Sequence, residues 1–148
     1  MDAHGDKQLT TPLEPNPTNS CFGCGAGNAR GMQLKFEQDD AARCIRGRFS
    51  LGEEYSGGPG ILHGGIIAVL LDEAMGKVGR FRGVRAVTAE LKIEYLRPVP
   101  VGQEILVEAR EIEMNGRNMF REGEIRSARG VVLARGTGRF VDISMPPR

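Results

Sequence analysis

Residues 61–78, ILHGGIIAVLLDEAMGKV, constrain this chain more than any other stretch. Read as a helix from about Leu62 to Arg80, the segment is apolar almost all the way round, and such a helix must be covered on most of its surface. SGGPG at 56–60 breaks the chain before it, and GRFRG ends it. The rest of the chain offers only sheet as cover. Met32, Leu34 and Phe36 alternate with Gln33, Lys35 and Glu37. Ile45, Gly47 and Phe49 alternate with Cys44, Arg46 and Arg48, and DDAA at 39–42 turns one strand into the other. The clearest alternation places Val87, Ala89, Leu91, Ile93 and Tyr95 on one face, with Thr88, Glu90, Lys92 and Glu94 on the other. Arg97-Pro98-Val99-Pro100 stops it, because proline cannot continue a ladder. Residues 104–114 and 118–128 flank an Asn115-Gly116 turn, and a last strand turns Val132, Ala134, Gly136, Gly138 and Phe140 inward. Short connections imply antiparallel neighbours. The expectation is an α+β fold, a six-stranded antiparallel sheet wrapped around one long central helix.

The chain has 148 residues, of which 40% are apolar, enough for one domain with a real core. The expected layout is an N-terminal tail over 1–20, disordered or extended and rich in proline (TTPLEPNPTNS), one domain over 21–143, and a short C-terminal tail over 144–148. Lys plus Arg is 20 and Asp plus Glu is 19, a net of +1 that gives no argument for nucleic-acid or membrane-surface partners. There is no charged segment leading into an apolar secretion signal and no run of about 18 apolar residues, so the cytoplasm is expected by elimination. Three cysteines do not suggest a disulfide scaffold. Cys21-x-x-Cys24-Gly looks like half a zinc knuckle, but a second pair is missing, so no metal is expected and the segment is read as structural. No cofactor is expected. His4 lies in the tail and is given no role.

The helix carries two adjacent acids. Glu73 has Lys77 four residues on, the favourable orientation for an ion pair, and reads as a solvated or paired carboxylate. Asp72 shares its face with Gly65, Ala68, Val69, Gly76 and Gly79, small residues with no cation three or four positions away. Such space suits a ligand or another backbone. Asp72 is therefore a candidate functional acid, with a buried structural hydrogen-bonder as the bland reading.

His63-Gly64-Gly65 stands at the helix start, where the first N–H groups lack acceptors and the helix dipole favours negative charge. Gly64 and Gly65 would let a carbonyl approach closely, as an oxyanion hole requires. The same glycines would serve equally to turn the loop into the helix. Gly64 and Asp72 are eight residues apart, about 12 Å along one helix. They cannot contact one carbonyl group from the same chain. If both act on one substrate, two antiparallel helices must supply them, as in a two-fold homodimer.

HGG with an acid nine positions after the His, in HGGIIAVLLD, resembles the hotdog-fold acyl-CoA thioesterases, and within them the phenylacetic-acid-degradation (PaaI-like) group. CFGCGAGNARGMQLKF and VTAELKIEYLRPVPVG share that resemblance, which spans about residues 20–142. It implies a helix wrapped by a six-stranded sheet, paired into a homodimer or a dimer of dimers. It implies that Asp72 is general base or nucleophile, that the Gly64 N–H polarises the thioester carbonyl, and that His63 orients that loop or contacts the thioester. Two departures stand out. Gly76 replaces the Ser or Thr many relatives carry, and Gly57 stands where several have Asn or Gln. Either other groups, Asn28 or Ser56 among them, hold the water, or turnover is slow. Arg97 and Arg117 are candidates for the CoA phosphates, since arginine suits phosphate oxygens. Acyl-CoA hydrolysis is the leading expectation. A silent acyl-CoA binder is the first alternative. A hotdog hydratase or dehydratase is the other: it would fit Pro59-Gly60-Ile61-Leu62 but would use a His upstream of the helix, and none occurs between His4 and His63.

Overall fold

The computed structural model describes residues 10–144. In chain order the elements are β1 (Thr10–Pro12), β2 (Glu37–Asp39), β3 (Cys44–Phe49), α1 (Gly64–Lys77), β4 (Ala86–Tyr95), β5 (Ile105–Asn115), β6 (Asn118–Ser127) and β7 (Val132–Asp142). The strands form one antiparallel sheet in the order β1-β2-β3-β5-β6-β7-β4, with seven strands where the alternation predicts six. The extra strand, β1, falls within the segment expected as tail; residues 1–9 and 145–148, including His4, lie outside the described residues. The segment at 32–37 is also corrected. Leu34 and Phe36 are buried as the alternation requires, but the ladder begins only at Glu37. An apolar alternation records burial, and a ladder needs a partner strand as well.

The helix lies across the inner face of the sheet. Leu70, Leu71, Ala74 and Met75 are wholly buried there, each large side chain worth roughly 1.5–3 kcal/mol of burial. Leu71 and Met75 settle over Gly123 and Gly136, where an added Cβ would lie 3.2–3.3 Å from the leucine. The sheet is therefore thin under the helix, and glycine is what lets the two layers close.

Helix α1 ends at Lys77 and tightens into a 3₁₀ turn over Val78–Arg82, three residues earlier than the pattern predicts. Arg121 of β6 explains much of this end. It is fully buried, and its Nη1 donates to the carbonyl oxygens of Met75 at 2.8 Å and Gly76 at 3.4 Å. These are carbonyls of the last turn, which also receive the Val78 N–H, and a cation at the C-terminal end suits the helix dipole. The guanidinium also stacks 4.6 Å from the centre of the Phe140 ring. No carboxylate pairs with it among the described residues. Burial pushes its pKa down, and its Nε finds no hydrogen-bond partner.

No helix among the described residues is long and apolar enough to cross a membrane.

Candidate functional site

The loop before α1 is clamped to the helix start. Ser56 pairs through its backbone with Leu62, and the His63 N–H donates to the Tyr55 carbonyl at 2.8 Å. His63 is the N-cap in extended conformation, and its Nδ1 accepts the Gly65 N–H at 2.8 Å. The His63 carbonyl takes the N–H groups of Ile66 and Ile67. The Gly64 N–H is left without an acceptor among the described residues. The two glycines thus separate in role: the Gly65 donor is spent on His63, while the Gly64 donor is free. The Tyr95 hydroxyl donates to the Gly64 carbonyl at 2.9 Å and fixes this peptide from the strand side.

Two turns along the helix, the half-buried Asp72 accepts a hydrogen bond from the Thr88 hydroxyl at 2.7 Å. Burial pushes its carboxyl pKa up, the Thr88 bond pulls it down, and the neighbouring Glu73 charge pushes it up again; the net direction is upward. No cation forms an ion pair with it among the described residues.

The alternation puts Thr88 on the polar face of its strand, and the structure differs for a definite reason. The β4–β7 register shifts between Thr88 and Glu90, leaving Ala89 as a bulge. Thr88 stands opposite the buried Phe140 and so turns inward, while Val87 is 48% exposed. Beyond the bulge, Leu91 and Ile93 are partly buried on the face the alternation predicts, and Tyr95, on that same face, remains exposed. No glycine or proline marks the bulge in the sequence. Tyr95 is on the predicted face, but only the packing aims its hydroxyl at Gly64.

The other candidates fall elsewhere. The Asn28 side chain is bonded within its own loop, donating to the Ser20 carbonyl and accepting from the Arg30 N–H. Arg97 donates its backbone N–H to Leu133, and Arg117 accepts at its carbonyl from Asp142. Leu133 and Asp142 lie at opposite ends of β7, nine residues or about 30 Å apart in a strand. Arg97 and Arg117 therefore do not bind one phosphate group from a single chain. A Cβ at Gly76 would meet nothing within 4 Å, so the place of the missing hydroxyl is open space.

Glu73 faces away from this site. It does not pair with Lys77, contrary to the spacing. Its Oε1 accepts from the Cys21 thiol at 3.2 Å, and the Lys77 Nζ donates to the Cys24 sulfur at 3.0 Å. The loop over 19–34 brings two closer partners than the i+4 neighbour. Burial pushes the Cys24 thiol up to about 11.

The sequence profile of the thioesterase superfamily matches residues 59–134, which include the whole of α1 and β4. Acyl-coenzyme A thioesterase THEM4 of Bos taurus is 31% identical over 109 residues, 73% of this chain and 44% of that protein. The chain thus spans less than half the length of this curated relative. Among solved structures, the thioesterase superfamily protein RHA08564 superimposes with a TM-score of 0.75 at 31% identity, over 86% of this chain and 60% of that one. The Bacillus halodurans protein BH2602, solved with CoA, gives a TM-score of 0.67 at 29% identity, over 76% of each chain.

Proposed function

The chain belongs to the thioesterase superfamily, and from that premise we propose that it hydrolyses an acyl-CoA thioester to the free acid and CoA. One observation carries the reading: Asp72 is a half-buried carboxylate with a raised pKa, held by one hydroxyl and by no cation. A group so placed accepts a proton more readily than an ion-paired acid does. CoA in the BH2602 structure and the name of THEM4 support the substrate class.

In this mechanism the thioester carbonyl oxygen lies against the Gly64 N–H. Asp72 takes a proton from water as the water attacks the carbonyl carbon, or attacks that carbon itself. Negative charge builds on the oxygen and is stabilised by Gly64 and the helix dipole. The tetrahedral species collapses with loss of CoA thiolate. His63 acts at one remove, by taking the Gly65 N–H and fixing the loop.

Since Gly64 and Asp72 are about 12 Å apart on one helix, each site draws Gly64 from one chain and Asp72 from another. The free edge of β4 supports a two-fold dimer. It is ten residues long, its outer edge is unpaired among the described residues, and Val87, Tyr95 and Leu96 are exposed along and beyond it. Pairing two such edges would extend the sheet across both chains. A dimer of dimers is compatible with the same site.

The test is a panel of acyl-CoAs, short aliphatic to aryl, with a thiol reagent reporting free CoA. Wild type is expected to turn over at least one member, and Asp72→Asn to lose that turnover. Tight binding of CoA esters without hydrolysis would instead favour a silent binder, a reading supported by the open space at Gly76. Shared sites have their own test. Mixing an Asp72→Asn chain with a Gly64→Ala chain should restore activity, because the mixed dimer contains one intact site. No restoration after demonstrated subunit exchange would refute the shared site.

A further inference from the structure

The polar cluster on the other side of α1 takes no part in that chemistry. Cys21 and Cys24 come from the loop at the start of the domain, and Glu73 from the rigid helix. One ligand atom from each, two sulfurs and a carboxylate oxygen, lie within 4.8 Å of one another. All three residues are partly buried. We propose that Cys21, Cys24 and Glu73 form a binding site for a thiophilic divalent cation of the zinc class.

The donor set fits that class. Zinc takes thiolate at about 2.3 Å and carboxylate at about 2.0–2.2 Å in a tetrahedron, which sets neighbouring ligand atoms roughly 3.5–3.8 Å apart. The Cys21 sulfur and the Glu73 Oε1, at 3.2 Å, stand slightly closer than that, and sides as long as 4.8 Å need to contract by about 1 Å, within the reach of side-chain rotation. Magnesium and calcium favour all-oxygen sites and do not fit two sulfurs. Of the three donors, Cys24 lines a cavity of about 380 Å³ together with Asn19, Lys77 and Arg80, through which a cation can reach its sulfur.

The sequence hides this site because a search for paired CxxC motifs counts only cysteines. The third ligand lies 49 residues beyond Cys24 and is supplied by the fold. Lys77 is the counterweight. Its ammonium sits 3.0 Å from the Cys24 sulfur, where it opposes a second cation. A bound metal must displace Lys77, so removing that charge should tighten binding. The metal would tie the 19–34 loop to α1 on the side away from Asp72, a structural role rather than a catalytic one.

The test uses the full, tag-free chain stripped of metal, with Co²⁺ as spectroscopic probe and Zn²⁺ in competition with a chromophoric chelator. The expected result is one Co²⁺ per chain, with a thiolate-to-cobalt charge-transfer band that one equivalent of Zn²⁺ abolishes. Cys21→Ser and Cys24→Ser should remove the band. Glu73→Gln should weaken zinc binding by about tenfold or more. Cys44→Ala, which removes the fully buried third thiol, should leave it unchanged. Lys77→Ala should tighten it severalfold, a gain that a folding defect cannot mimic. Absence of the charge-transfer band, insensitivity to Glu73→Gln, or weaker binding in Lys77→Ala would each overturn the proposal.

Discussion

Asp72 and Glu73 are consecutive residues of α1, yet they belong to two different parts of the molecule. Asp72 faces β4, an edge strand, and meets one hydroxyl and no cation. Glu73 faces the 19–34 loop and meets a thiol, with Lys77 held on the next sulfur. Helix spacing alone assigns Glu73 to Lys77 and offers Asp72 no cation. The first assignment fails because the 19–34 loop brings closer partners, and neither points to Thr88. The environment of a helix acid is set by the loop or strand packed over it, and a one-residue step rotates it from one to the other.

The largest expected effect breaks this comparison most directly. Asp72→Asn should lower kcat for hydrolysis by about 10² or more, the range that general-base catalysis contributes. Glu73→Gln should stay within a few-fold of wild type. Steady-state kinetics on the best acyl-CoA decides it, and a dead Glu73→Gln beside an active Asp72→Asn would assign the chemistry to the wrong side of the helix. Gly64→Ala comes next. A Cβ there would stand 3.4 Å from the Tyr95 hydroxyl, an ordinary contact, so the variant should fold. Its methyl group would intrude where the thioester carbonyl must approach, and turnover should fall on the order of 10², as for loss of an oxyanion donor.

The difference between the two sides also marks what was legible in the sequence. The apolar circumference of α1 and the alternations of β3 and β7 follow from burial, which the side chains record directly. Leu34 and Phe36 record burial too, but not the missing ladder partner at their own positions. The bulge at Ala89 has no residue signature, so neither did the inward turn of Thr88. In β6, Arg121 interrupts the buried face of Met119, Gly123 and Ile125, because a buried guanidinium reads in sequence as a surface charge. It is stabilised by helix carbonyls and the Phe140 ring, partners that exist only after α1 docks. Strand β1 was hidden by prolines that suit an edge strand as well as a linker.

A smaller effect sharpens the Asp72 side. The Thr88 hydroxyl favours the charged carboxylate, and Thr88→Val removes it with little change of shape. The Asp72 pKa should then rise further. The acidic limb of the kcat/KM profile should move to higher pH, with up to roughly tenfold lower activity on that limb per unit of displacement. Activity in this mechanism needs the ionised acid, so the loss should shrink toward alkaline pH. A Thr88→Val profile that falls uniformly at all pH would mean that the hydroxyl positions substrate rather than tuning the acid.

The smallest effect is on stability, and it should differ in sign between the two acids. A carboxyl whose folded pKa exceeds its unfolded value holds its proton more tightly when folded. That stabilisation is complete below the unfolded value, near 3.8, and is lost as pH rises through the folded one. At neutral pH the ionised Asp72 therefore opposes folding. Asp72→Asn should be more stable than wild type by about 0.5–1 kcal/mol there, the common exchange of function for stability. Glu73→Gln should be less stable by about 0.5–1 kcal/mol, because the Cys21 thiol then donates to a neutral acceptor. Urea denaturation at neutral pH and again below 3.8 separates the causes. The Asp72→Asn advantage should vanish at the lower pH, where the wild-type acid is protonated in both states. An advantage that persists there would mean that packing, not the charge of Asp72, sets the stability of this face.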